Sequence, residues 1–111
     1  MSYKKYGNRS CTCNQNHKHD SQGEAIYCDS LALQMKAGEV QSYEIQRNFR
    51  LIVDGKKVCS HRVDFLVTEK DGTVCVHEYK GMVTQTWRIK YKLFIACYPE
   101  IPYRIIYHNK R

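Results

Sequence analysis

The sequence predicts a single mixed α/β (α+β) domain in the order helix, three strands, helix, strand, with a mixed central sheet flanked by helices. Three observations predict it. Apolar residues recur at helical spacing in two separate segments, period-two alternation takes over between them, and glycine-centred turn signals cut the alternating stretch into strands. The length of 111 residues allows one modest core and leaves no room for a second catalytic module.

Residues 1–20 are polar and basic, rich in Asn, Gln, Ser and His, and read as an arm preceding a domain at 21–111. Ser21-Gln22-Gly23-Glu24 fits a capping box, in which a hydroxyl and a carboxylate satisfy the free backbone donors of a helix start. The helix runs to about Ala37 on a stripe of Tyr27, Cys28, Leu31, Ala32 and Met35, and Gly38 supplies the left-handed stop. From Tyr43 onward Phe49, Leu51 and Val53 alternate with Arg50 and Ile52, until Asp54-Gly55 offers a turn. Strands at about 60–69 and 73–80 follow, joined by Lys70-Asp71-Gly72 as a three-residue hairpin loop with glycine in the left-handed position. A second helix spans Gln85 to Cys97, carrying Trp87, Tyr91, Phe94, Ile95 and Tyr98 on one side with Trp87 as its core anchor. Tyr98-Pro99 ends it, and Tyr103 to Tyr107 forms the last strand.

Lys and Arg number 18 against 11 acidic residues, a net charge of +7 spread along the chain, which points to a polyanionic partner. No stretch reaches the roughly 20 apolar residues that span a bilayer. Met1-Ser2-Tyr3-Lys4-Lys5 has no apolar run behind it to act as a signal peptide, so a cytoplasmic location is expected. In a reducing compartment the six cysteines serve as thiols or metal ligands and not as a disulfide framework. Cys59, Cys75 and Cys97 lie in apolar runs and read as small buried hydrophobes.

The hairpin geometry tests which side chains meet. With Lys70 to Gly72 as the loop, Glu69 faces Thr73, and counting back along both strands sets Asp64 opposite Glu78. Directly opposed residues share a sheet face with β-carbons about 5 Å apart. Two carboxylates at that separation repel, and a divalent cation between them removes the conflict. Lys80 leaves the same face about 7 Å further along the strand. Glu24 heads the apolar stripe of the first helix and points toward the sheet. Carboxylates with a lysine suit phosphodiester hydrolysis: oxygen ligands hold Mg²⁺ or Mn²⁺, which acidifies water and screens phosphate, while the lysine orients the attacking water and offsets developing charge. The plain reading of the same residues is an exposed strand of alternating charge, with Glu24 only completing its capping box.

A second set of ligands lies in the arm. Cys11-Thr12-Cys13 and His17-Lys18-His19 offer soft or borderline donors, and Cys28 follows Glu24 by one helical turn. A structural Zn²⁺ drawing its ligands from Cys11, Cys13, His17, His19 and Cys28 would fix the arm beside the helix. The alternative is a polar arm touching phosphate. Arg47, Arg50, Lys56, Lys57, Arg62, Arg88, Lys90 and Lys92 surround the acids in sequence and are the candidate phosphate contacts. Cutting both strands of a duplex symmetrically would take a homodimer.

Asp64, thirteen intervening residues and then Glu78-Tyr79-Lys80, with Glu24 on a preceding helix and a basic helix after, resembles the PD-(D/E)XK nuclease superfamily. More narrowly, His19-Asp20-Ser21 through Glu24-Ala25, Lys36 to Val40, Gln46, Val63-Asp64-Phe65, Tyr79-Lys80-Gly81, Lys92-Leu93-Phe94 and Tyr98-Pro99 resemble a family of small phage and prophage proteins of unassigned function. Val63 and Arg47 stand where that pattern often has proline. The resemblance implies a restriction-endonuclease-like αβββαβ core, metal held by Glu24, Asp64 and Glu78, Lys80 as the catalytic lysine, and Gln46 as a substrate-orienting group. It implies a DNA endonuclease, Holliday-junction-resolvase-like and acting in the host cytoplasm where phage-encoded. Since the superfamily also holds restriction enzymes and recombination nucleases, the resemblance fixes chemistry better than substrate. No segment resembles a base-reading helix, so selection of branched or junction DNA by shape is expected over sequence. The competing classes are a non-catalytic nucleic-acid-binding protein on the same fold and a zinc-stabilised protein-interaction module.

Overall fold

In the computed structural model, residues 10–107 are described. The arm's residues 1–9, Met1 to Lys5 among them, lie outside that range. The order is β1 (Cys11–Thr12), β2 (Lys18–His19), α1 (Gln22–Lys36), β3 (Val40–Val53), β4 (Lys56–Glu69), β5 (Val74–Lys80), α2 (Gln85–Cys97) and β6 (Tyr103–Tyr107). β1 and β2 form a small antiparallel ribbon, and the other four strands form a sheet in the order β3-β4-β5-β6. β3, β4 and β5 run antiparallel in succession, while β6 returns through α2 to lie parallel to β5. This is the expected mixed sheet flanked by helices.

Local chemistry sets the boundaries. Ser21 Oγ accepts the Glu24 N–H at 3.1 Å to start α1. Gly38 at φ +80 stops it, with the Glu39 N–H bonded to Gln34 O at 2.9 Å. Asp54 (φ +53) and Gly55 (φ +78) are both left-handed, as a two-residue hairpin turn with the right twist requires. The Glu69 N–H bonds Thr73 O at 2.7 Å around Gly72 (φ +92), the anticipated three-residue loop. Thr84 caps α2 by accepting the Trp87 N–H at 3.1 Å.

The core divides in two. Ala25, Cys28 and Leu31 of α1 pack with Cys13, Val40, Phe65 and Val67, whereas Phe94 of α2 packs with Phe49, Leu51, Val63, Leu66 and Val76. Phe65 and Val67 thus face α1 and Leu66 faces α2, so the helices cover opposite faces of the sheet. Strict alternation would put Val63 with Phe65, yet Val63 sits in the α2 cluster with Leu66. The switch falls at Asp64, which lacks a ladder partner on β3, across from Gln46 in the left-handed region at φ +51. There the long β3–β4 hairpin turns over and hands its buried face from α1 to α2.

Some burial expectations need correction. Met35 is 43% exposed because α1 is buried only over the turns from Glu24 to Leu31. Ile95 is 38% exposed, being turned aside from Phe94. Cys59, Cys75 and Cys97 are half-buried, at the margins of the clusters instead of inside them. Among the described residues, no helix is long and apolar enough to cross a membrane.

Phe65 is fully buried against the rings of His19, Tyr27 and Tyr43. Phe65→Ala is expected to lower unfolding stability by about 3–5 kcal/mol, as measured by equilibrium urea denaturation.

Candidate functional site

The β4–β5 ladder pairs Phe65 with His77, and one step further Asp64 meets Glu78, as the loop arithmetic predicts. Backbone pairing stops there and the two carboxylates take over. Asp64 Oδ2 accepts the Tyr79 N–H at 2.8 Å, and Glu78 Oε1 accepts the Asp64 N–H at 3.3 Å. Each acid is thereby anchored to the other's strand. Glu78, only 2% exposed, also accepts the Tyr103 hydroxyl at 3.2 Å. The Tyr103 oxygen lies 2.8 Å from Nε2 of buried His61. Since the phenol proton goes to Glu78, that imidazole nitrogen carries the proton and donates to Tyr103.

Lys80 Nζ stands 3.6 Å from Glu78 Oε2 and 4.9 Å over the ring of Trp87, which stacks on Tyr91. Trp87 is therefore a half-buried floor beneath the lysine and not the core anchor expected. Its indole N–H is near enough to favour the ionised Glu78 but makes no full hydrogen bond.

Glu24 reaches the same neighbourhood from α1. Gly23 lies so close to the Tyr79 ring that a β-carbon there would collide with it, and this lets the first helical turn settle onto β5. Only half the capping box forms. Ser21 caps the helix, while the Glu24 carboxylate, 4% exposed, turns to His19 with Oε2 3.1 Å from Nδ1.

The acids feel one another. Burial, then the charges of Glu78 and Glu24, push Asp64 up to about 8. Burial, then Asp20 and Glu78, push Glu24 up to about 7 against the opposing pull of Arg62 and Lys80. Burial raises Glu78 as well, with Lys80 the strongest counterweight. Burial, aided by Lys90 and Lys80, holds His61 down at about 4, so it is neutral. The acids therefore give up their protons reluctantly in the absence of a cation, and an all-oxygen donor set of this kind suits a hard divalent ion. Glu24, Asp64 and Glu78 nonetheless do not form one of the tight ligand groups among the described residues, because each carboxylate is turned to a different partner.

Of the basic residues, Arg62 is 3.5 Å from Asp20 and its charge reaches Glu24, and Lys90 acts on His61. Arg88 and Lys92 are exposed on α2. Arg47 pairs with Glu44 at 3.1 Å and lies over Phe49. Gln46, expected to orient substrate, donates instead to the Lys18 carbonyl at 3.2 Å and ties β3 to the arm. Arg50, across from Ser60, lies toward the hairpin tip, and Lys56 and Lys57 flank the tip itself. Lys57 is about 23 Å along β4 from Asp64, so these tip lysines do not surround the acids.

Sequence reasoning missed His61, Tyr103 and the role of Trp87. Tyr103 comes from the parallel strand, whose register no local turn encodes, and a lone His on an alternating strand carries no signal of its own.

Among the described residues, two groups have ligand atoms all within 4.8 Å of one another: Cys13, His17, His19 and Cys28, and separately Glu69, Cys75 and His77. The first could bind a metal such as zinc. Its sulfurs are 3.6 Å apart, and His17 Nδ1 is 3.4 Å from Cys28 Sγ. Cys11 is outside this group and packs at the margin of the α1 core. In the second group, His77 Nδ1 is 2.7 Å from the Tyr27 hydroxyl and Nε2 is 3.5 Å from Glu69.

Over residues 3–111 the chain matches a family described as "Protein of unknown function (DUF1064)". No curated protein and no solved structure matches it.

The raised acids give a pH dependence of definite sign. Below about 4 Asp64 is protonated folded and unfolded alike; between there and about 8 only the folded state keeps the proton, so its contribution to stability falls as pH rises. Asp64→Asn removes that loss while retaining an acceptor for the Tyr79 N–H. In thermal melts without added Mg²⁺ or Mn²⁺, the variant should gain at least about 5 °C over the wild type at pH 8, with little difference at pH 4.

Proposed function

The chain belongs to the DUF1064 family, and we propose that it is a metal-dependent endonuclease that hydrolyses DNA phosphodiester bonds. The observation that carries this reading is half-buried Asp64 and buried Glu78 bracing each other's strands, with Lys80 beside Glu78 and the charge of Glu24 acting on the same cluster. Buried like charges are costly unless something binds between them. The chemistry they offer is that of a cation-dependent phosphotransfer site.

Mg²⁺ or Mn²⁺, when bound, supplies acidification of water and screening of the phosphate charge. Asp64, Glu78 and Glu24 would hold it. The Tyr79 N–H fixes the direction of Asp64, and the Asp64 N–H with the Tyr103 hydroxyl fixes that of Glu78. Lys80, propped by Trp87 beside Glu78, would donate to the scissile phosphate as negative charge builds on its oxygens. Water adds to phosphorus, one P–O ester bond breaks, and the water's proton is passed to the departing oxygen.

The net charge of +7 and the exposed Arg62, Arg88 and Lys92 favour a nucleic-acid backbone as substrate. Contacts of this kind position a duplex without reading bases, which favours selection by DNA shape, with branched or junction DNA as the preferred form. Cleaving two strands symmetrically requires two copies of the chain.

The test is a cleavage assay on linear duplex, flap, single-stranded and four-way junction DNA, with and without Mg²⁺ or Mn²⁺. Cation-dependent cutting is expected, falling by about 10²–10³-fold in Lys80→Ala and lost in Asp64→Asn, with both variants folded by circular dichroism. Undiminished activity in either variant refutes the assignment. Salt-sensitive DNA binding without hydrolysis would make the protein a binding module instead.

A further inference from the structure

We infer that Cys13, His17, His19 and Cys28 form a closed structural zinc site, and that His19 links this zinc to Glu24 of the acid cluster. Zn–S bonds of about 2.3 Å and Zn–N bonds of about 2.0–2.1 Å at tetrahedral angles require an S–S edge of about 3.8 Å and an S–N edge of about 3.5 Å. The Cys13–Cys28 and Cys28–His17 separations of 3.6 Å and 3.4 Å match those edges. His19 completes the group, since all four ligand atoms lie within 4.8 Å of one another.

A second observation points to a ligand at the same place. His19 is 1% exposed, and its Nε2 is buried without a hydrogen-bond partner while Nδ1 is engaged by Glu24. A buried imidazole nitrogen left bare is costly, and a metal ion satisfies it. Two sulfurs and two imidazoles favour Zn²⁺ over Mg²⁺ or Ca²⁺. Four protein ligands leave no open position, so the role is structural.

The backbone holds the site in readiness. The Cys13 N–H bonds His17 O at 2.9 Å and the Asn16 N–H bonds Cys13 O at 2.9 Å, closing a turn with Asn16 left-handed at φ +67. The Asn14 N–H is pinned to Asp29 of α1 at 2.8 Å. The Tyr43 hydroxyl, 3.4 Å from Cys28 Sγ, is placed to donate to a thiolate. Three ligands come from the β1–β2 ribbon and its turn and the fourth from α1, so the ion staples ribbon to helix.

Coordination through Nε2 puts the remaining proton of His19 on Nδ1, where it donates to Glu24 Oε2 across 3.1 Å. This is the carboxylate–histidine–metal arrangement, in which the outer carboxylate orients the ring and strengthens the bond to the metal. Glu24, whose charge also acts on Asp64 and Glu78, is thus held by the zinc-bound histidine. His19 is a positioning residue. This last link rests on the nuclease reading only in calling Glu24 part of that site.

Zinc content and affinity test the inference independently of cleavage. The full chain purified with zinc should carry one ion, and its cobalt form should show the thiolate charge-transfer and intense ligand-field bands of a tetrahedral site. Cys28→Ser and His17→Ala should lose the metal, whereas Cys11→Ser should keep it. Glu24→Gln should keep one zinc but bind it about 10–100-fold more weakly in competition with a chromophoric chelator, and Glu39→Gln should match the wild type. A wild-type chain without zinc, a Cys13–Cys28 disulfide in its place, or loss of metal in Cys11→Ser overturns the site. Unchanged affinity in Glu24→Gln overturns the link. An inactive protein that binds zinc in this pattern would fail as a nuclease and leave the zinc site standing.

Discussion

The exchange of hydrogen bonds in which the Asp64 carboxylate takes the Tyr79 N–H and the Glu78 carboxylate takes the Asp64 N–H is the constraint on which the rest of this structure depends. Where β4 and β5 part, backbone N–H groups would be left in a buried place without partners, and each strand's acid takes up the donor on the other. The arrangement fixes both carboxylates in direction and keeps them close, at the cost of burying like charges. Nearby groups answer that cost: Lys80 beside Glu78, the Tyr103 hydroxyl on the same oxygen as the Asp64 N–H, and the approach of α1 that brings Arg62 and Lys80 to bear on Glu24. The compensation is incomplete, as the upward shift of all three carboxyls indicates. A fold selected for stability alone would place apolar residues at these points.

The position of the acids follows from how the sheet is covered. A hairpin with strands as long as β3 and β4 exceeds what one helix can bury, and the two helices lie on opposite faces. The chain resolves this by turning the hairpin over between Ile45 and Phe49 on one strand and at Asp64 on the other, with Gln46 in a left-handed conformation at the crossing. Asp64 therefore occupies the seam between the two core clusters. A side chain there is enclosed by both without belonging to the apolar interior of either, and so can be buried and still reach polar partners.

This explains which features were legible in the sequence. The facing of Asp64 and Glu78 was legible because it depends on one loop of three residues, and the turn chemistry of Gly72 sets the register outward from there. The bounds of α2 were legible from its apolar stripe and its proline stop. The turnover at Asp64 was not, because Val63, Phe65 and Val67 alternate regularly in sequence and nothing in that pattern records a change of face. Tyr103 was hidden for a different reason: its place beside Glu78 requires the parallel register of β6, which is set by the packing of α2 and not by any local signal. The ligand set was legible as a list of residues and not as a choice among them. Cys11 and Cys13 are two apart and look equivalent, but pairing of Cys11 with His19 in the ribbon leaves the turn beyond it to carry Cys13 and His17 together.

Two kinds of donor stand side by side here and are suited to different ions. The acids present oxygen alone, and the ribbon with Cys28 presents sulfur and imidazole, so the preferences of hard and borderline cations would keep the two sites from exchanging occupants. Among the described residues they meet where His19 Nδ1 lies 3.1 Å from Glu24 Oε2. A ribbon with two residues in each strand buries little apolar surface and cannot by its own packing hold a histidine at a fixed distance from a buried acid. Metal ligation would supply that rigidity, because in a small domain the binding free energy is also folding free energy. A staple through Cys28, one helical turn beyond Glu24, would act where it does the most for Glu24, whose backbone is already set by Ser21 and the close approach of Gly23 to Tyr79, and whose carboxylate is turned to His19 and not to the sheet.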